Sequence, residues 1–285
     1  MVDVDKLMPT NDVIFKAMLG NPKHPSGLIH FLNSALRPTN PIVSIQIENS
    51  EITQDHVLEK GSRLDILATT NTNEIINVEC QAGNDPEIIA RMLYYWSRKF
   101  SQQLPAGEPY CKLKRTVGLA VLNFNSSIDD IRYQVRGRIY DCETLKQMTD
   151  LLELHFLDLT KLKGLDEENP VTMWTEFFKN PYSEEAQLIY ERIPEIKEAK
   201  EMFEKVKADP KYLELIRMRE EANIEFNNAI ANAEDKGAKR ERAKADAEKR
   251  ESAKTALVMG LAIDQVSKIT GLSVEEINEI KKKIQ

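Results

Sequence analysis

Arg63-Leu64-Asp65-Ile66-Leu67 and the later Asn77-Val78-Glu79-Cys80-Gln81 are the two stretches that decide how this chain folds. Leu64, Ile66 and Leu67 make the first largely apolar, Val78 and Cys80 alternate with polar residues in the second, and Asn71-Thr72-Asn73 lies between them. Asn tolerates the left-handed backbone of tight turns, so the pattern predicts strands over Arg63–Thr70 and Glu74–Gln81 joined as an antiparallel hairpin. Side chains on a strand alternate faces, so Glu79 and Gln81 share one side and Cys80 takes the other. Asp65 is flanked by Leu64 and Ile66, which face away from it. Asp65 and Glu79 are equally far from Thr72 along the chain. Symmetric pairing then makes them direct cross-strand neighbours, with Cβ atoms about 5 Å apart. Two carboxylates so placed repel unless something compensates. A hard cation, Mg²⁺ or Mn²⁺, is the usual remedy, because it prefers carboxylate and carbonyl oxygens. Asp65, Glu79 and the backbone carbonyl of Cys80 would be its ligands, and Gln81 would hold a water or a phosphate oxygen. The plainer alternative is an exposed sheet face lined with acids.

Outward from the hairpin, the elements alternate. Asp12–Leu19 reads as a short helix, and Ser26 reads as the N-cap of a second helix over Gly27–Leu36. Ile42–Ile47 alternates like a strand. Pro86 sits where a first-turn proline is tolerated, ahead of a long amphipathic helix over Glu87–Gln103. Thr116–Phe124 is almost continuously apolar and reads as a buried central strand. Ile131–Tyr140 and Leu151–Leu159 are further strand-like stretches. The result is a mixed α/β domain over residues 1–163. A helical, highly charged arm follows over 164–254, whose stretch Glu234–Lys254 has only Ala as apolar filling and is expected to be solvated. Residues 255–285 form a small helix-turn-helix-like unit, with Val266, Gly271, Leu272, Ile277 and Ile280 at the expected positions. Ser273 and Glu276 there have the spacing of a capping box.

The bulk properties exclude several classes. Of 285 residues, 41% are hydrophobic, enough for a sizeable core, and 30% are charged. The net charge of −7 argues against a surface that coats DNA, though not against a local DNA site. Three scattered cysteines, Cys80, Cys111 and Cys142, fit a reducing cytoplasm better than a disulfide framework. Met1–Thr10 has no apolar stretch of the signal-peptide kind, and no segment has the roughly 18 apolar residues of a membrane span. No Ser/His/Asp arrangement, zinc-type spacing or Gly-rich phosphate loop is present.

The hairpin resembles the PD-(D/E)XK nuclease superfamily in a Gln-ending variant of its second motif. Within that superfamily the chain resembles the Rpn-type recombination-promoting nuclease/putative transposase family. Asn11-Asp12-Val13-Ile14-Phe15-Lys16 resembles the family's opening helix, and Asp65 with Glu79-Cys80-Gln81 its catalytic core. Arg91-Met92-Leu93-Tyr94-Tyr95-Trp96-Ser97, with Gly107 and Tyr110, resembles the helix and loop that follow. The resemblance implies a restriction-endonuclease-like α/β core, a mixed sheet flanked by helices, with a helical C-terminal extension. It also implies a metal-dependent DNA endonuclease, with Asp65 and Glu79 as metal ligands and Gln81 in the place of the superfamily lysine. Lys16 or Lys60 could supply the missing charge, or be ordinary surface lysines. Asp12 is an accessory ligand or a carboxylate complementing a helix dipole.

Arg91, Tyr95 and Arg98 share a helix face by their spacing, which makes Arg91 and Tyr95 candidates for contacts to DNA phosphates. Leu93, Trp96 and Phe100 are expected in the core. The would-be recognition helix of the tail begins with Glu275 and Glu276, so packing or homo-oligomer formation competes there with DNA binding. Two other readings stand beside the nuclease. One is a degenerate nuclease fold that binds DNA or protein. The other is a regulatory, self-assembling protein that works through its arm.

Overall fold

A computed structural model describes residues 3–48, 51–52, 65–129, 131–166 and 168–284. Lys60, Arg63 and Leu64 lie outside the described residues. Two compact units emerge, Met1–Ala222 and Asn223–Gln285.

The first unit is built on a six-stranded sheet in the order β1-β2-β3-β4-β6-β5. Its strands are β1 (Ile45–Glu48), β2 (Ile66–Thr70), β3 (Ile75–Gln81), β4 (Thr116–Leu122), β5 (Gln134–Tyr140) and β6 (Gln147–Asp158). β1, β2 and β3 form an antiparallel meander, while β3, β4 and β6 run parallel and β5 closes the far edge antiparallel to β6. The expected hairpin is present. Asn73 takes the left-handed backbone (φ 61°), and Thr70 accepts from the Asn73 amide at 2.9 Å. β4 is buried along its whole length, as a parallel strand covered on both faces must be.

On one face pack α1 (Asp12–Leu19), α2 (Ser26–Leu36), α4 (Pro170–Lys179), α5 (Glu184–Arg192) and α6 (Pro194–Ala208); on the other lies α3 (Ile88–Ser101). α1 is capped by Asn11, whose side chain accepts from the amides of Val13 and Ile14. The cap expected at Ser26 is not made. Ser26 is already helical, and its hydroxyl donates to Glu198 instead. The apolar side of α3 also differs from expectation. Ile88 and Met92 are buried, whereas Leu93 is exposed. Trp96 and Phe100 are half-buried and stack at 4.8 Å, and the Trp96 indole donates to the carbonyl of Thr116.

The boundary expected near Lys163 falls inside the first unit. Trp174, Phe177 and Phe178 of α4 and Phe203 of α6 are fully buried in the same core as Phe15 and Phe31. Their rings meet at 5.3–5.5 Å in the pairs Phe31–Phe178, Phe31–Trp174 and Phe15–Phe178. These helices complete the sheet's second layer; their exposed faces carry the charge that made the segment look like an arm. The charged stretch Glu234–Lys254 of α7 (Pro210–Val258) is exposed as expected except at Ala253, which is fully buried.

The second unit ends in α8 (Ile263–Thr270) and α9 (Val274–Ile284), packed around Ala253, Val266, Leu272 and Ile277. Gly271 turns the chain in the left-handed region at φ 71°. Ser273 and Glu276 cap each other's amides at 3.2 and 2.9 Å, the reciprocal box read from their spacing. Among the described residues no helix is long and apolar enough to cross a membrane.

Candidate active site

The site sits where β2 begins and β3 ends. The β2–β3 ladder pairs Ile66 with Val78, Leu67 with Asn77 and Ala68 with Ile76. One further step of that register sets Asp65 opposite Glu79, as the turn symmetry implies. Asn77 lies two residues before Glu79, hence on its face, and its amide donates to the Asp65 carboxylate at 3.3 Å. Asn77 was not singled out in the sequence, although period two was enough to place it beside Asp65.

Glu79 is 1% exposed. Arg91 of α3 donates to it at 2.7 Å and also pairs with Asp85, in the loop between β3 and α3. The phosphate contact expected of Arg91 is therefore not its arrangement here: the guanidinium is only 15% exposed and bridges two carboxylates. The helical face shared with Tyr95 and Arg98 is real, but its first member turns inward because β3 presents a buried acid to it. Asp85 was missed for lack of any periodic signal in a loop. Tyr95 is half-buried beside the exposed Tyr94, with ring centroids 5.5 Å apart.

On the opposite side of β3 lies Cys80, buried, with its thiol 3.4 Å from the carbonyl of Thr10. Burial pushes that thiol well above its ordinary range, and the charges of Asp12 and Glu79 push it further. Cys80 therefore stays a thiol and is neither a nucleophile nor a soft-metal ligand; only its carbonyl suits a hard cation. Gln81, at the end of β3, donates to the carbonyl of Gly83 at 3.2 Å. On α1, Asp12 accepts from Arg219 at 2.9 Å and from the amide of Val13. Lys16 is 3% exposed, which removes the reading of an ordinary surface lysine. Burial pushes its amine down, and the charge of Asp65 partly restores it.

The oxygen donors brought together fit a hard divalent cation in kind. Among the described residues no three His, Cys, Asp or Glu side chains converge on one point, so the candidate ligands are two carboxylates, a backbone carbonyl and solvent. Mg²⁺ accepts such sparse protein ligation because it keeps several waters.

No curated protein and no solved structure matches this chain. A family model described as PD-(D/E)XK nuclease family transposase matches residues 9–233, which include the sheet and every described candidate residue of the site. The chain therefore belongs to the PD-(D/E)XK nuclease family of transposase type.

Proposed function

We propose that this protein is a Mg²⁺- or Mn²⁺-dependent DNA endonuclease that hydrolyses phosphodiester bonds in recombination or mobile-element processes. The observation that carries the reading is the β2–β3 register, which runs Asp65 toward Glu79 on one face of the sheet. Asp65, Glu79 and the carbonyl of Cys80 hold the cation. When bound, it lowers the pKa of a water and offsets charge on the phosphate. Gln81 orients the attacking water by hydrogen bonding, in place of a charged lysine. Arg91 fixes the rotamer of Glu79, and Tyr95 donates to a backbone phosphate. Asp12, tied to Arg219, positions the start of α1, from which Lys16 contributes positive charge near Asp65. Lys60 is a further candidate for that charge.

The test is supercoiled plasmid incubated with the full chain and Mg²⁺ or Mn²⁺, beside Asp65→Ala and an EDTA control. Nicking or linearisation lost in both controls is the expected result; an Asp65→Ala protein that cuts as well as the wild type removes the reading.

A second reading, a degenerate nuclease fold that binds DNA or protein without cutting, is favoured by one observation: an arginine already neutralises Glu79. Metal-independent DNA binding with intact plasmid under every metal tried would select it.

A further inference from the structure

We propose that a cavity between α1 and the start of α7 binds one nucleotide unit through its phosphate. The cavity has a volume of about 390 Å³ and is lined by Lys16, Gly20, Asn21, Glu51, Lys211 and Tyr212. That volume is in the range of small-molecule sites and suits a mononucleotide.

Its most telling wall is Lys16. This lysine is 3% exposed, and it makes no hydrogen bond or ion pair among those of the described residues. Its ammonium is not sealed in the interior but opens on the cavity, where an anion can pair with it. Lys211 is exposed at the rim and adds a second cation. Two lysines against the one carboxylate of Glu51 leave the lining net positive in a chain of net charge −7.

Glu51 narrows the ligand further. A carboxylate in the lining disfavours a bare anion but accepts from hydroxyl or amine groups. A ligand that is anionic at one end and a hydrogen-bond donor at the other satisfies both, and a nucleotide is of that kind. Tyr212, half-buried, provides an aromatic wall.

The cavity lies on the α1 face of the sheet, where Gly20 packs so close to Ile66 that an added Cβ would stand 3.3 Å from its side chain; Asp65 and Glu79 belong to the opposite face. The binding therefore does not rest on the proposed function.

The test uses the full chain in EDTA, so that metal plays no part. Three probes are titrated: inorganic phosphate, deoxyadenosine monophosphate and a fluorescein-labelled single-stranded 12-mer. The variants are Lys211→Glu, at an exposed position, and Lys16→Met, which keeps the side chain's length without its charge. Wild type is expected to bind the mononucleotide or the oligonucleotide, and each variant to bind at least tenfold more weakly with no fall in melting temperature. Binding of the mononucleotide alone assigns a free nucleotide; binding of the oligonucleotide assigns a DNA backbone. Binding of inorganic phosphate only, binding of no probe, or wild-type affinity in Lys211→Glu overturns the proposal. Nucleotide binding that persists in a protein unable to cut DNA overturns the nuclease reading and leaves this one standing.

Discussion

Glu153 of β6 shows how much one side chain can carry. It is 2% exposed and takes hydrogen bonds or ion pairs from Arg115, Arg136, Arg138 and the fully buried His155. Burial pushes its carboxyl up, but the hydrogen bonds from His155 and Arg138, and the charges of His155 and Arg115, outweigh that and hold it at about 2. Its folded value lies below its ordinary one of 4.5, so the stability it contributes is complete above about pH 4.5 and is lost as pH falls toward 2. Glu153→Gln leaves three guanidinium groups short of their carboxylate and should cost about 3–5 kcal/mol at pH 7. Urea unfolding at pH 7 and pH 3 checks this. The variant's loss should shrink at pH 3, and an equal loss at both would contradict it. Nothing in the sequence pointed to this cluster, because its members are scattered from position 115 to 155 and only the β4–β6 and β5–β6 pairings gather them. Asp65 and Glu79, by contrast, were legible because a tight turn converts sequence distance directly into register.

At the scale of elements, the close approach of α3 to β4 depends on Gly118. A Cβ there would stand 2.8 Å from Leu154 and 2.9 Å from Met92. Gly118→Ala should therefore destabilise by about 1 kcal/mol, the low end of overpacking, because the atoms in the way are the ends of flexible side chains. Adding Met92→Ala should cost less in that background than in the wild type, because it frees the space the new methyl needs. Strictly additive losses in denaturant melts would refute this packing account. Most elements could be read from local pattern. α1 was expected with its observed bounds, and β3 and β4 came within two residues at each end, because periodicity and turn chemistry agree there. The failures were non-local. Ser26 is turned from capping by Glu198, and Arg91 is turned from solvent by Glu79 and Asp85. No pattern within α2 or α3 encodes those partners.

For the whole molecule, the misplaced boundary at Lys163 has a direct consequence. A fragment of residues 1–163 lacks Trp174, Phe177, Phe178 and Phe203, each fully buried in the wild type, and removing even one such ring typically costs about 3–5 kcal/mol. It should not unfold cooperatively, whereas residues 1–233 should, as followed by near-ultraviolet circular dichroism on heating. Cooperative melting of 1–163 would show that α4 and α6 are accessory. The C-terminal helix pair was legible because it is small and its caps are local. The helices of the second layer were not, because the aromatic rings that fix them pack against residues more than 130 positions earlier. The claim on which the functional account turns is that Asp65 and Glu79 act together as one cation site. Mn²⁺ titration followed by electron paramagnetic resonance tests it without requiring catalysis. The wild-type chain should bind Mn²⁺ saturably, with binding lost in both Asp65→Ala and Glu79→Gln while each variant still unfolds cooperatively. Unchanged Mn²⁺ binding in a folded Asp65→Ala, Glu79→Gln double variant would contradict it.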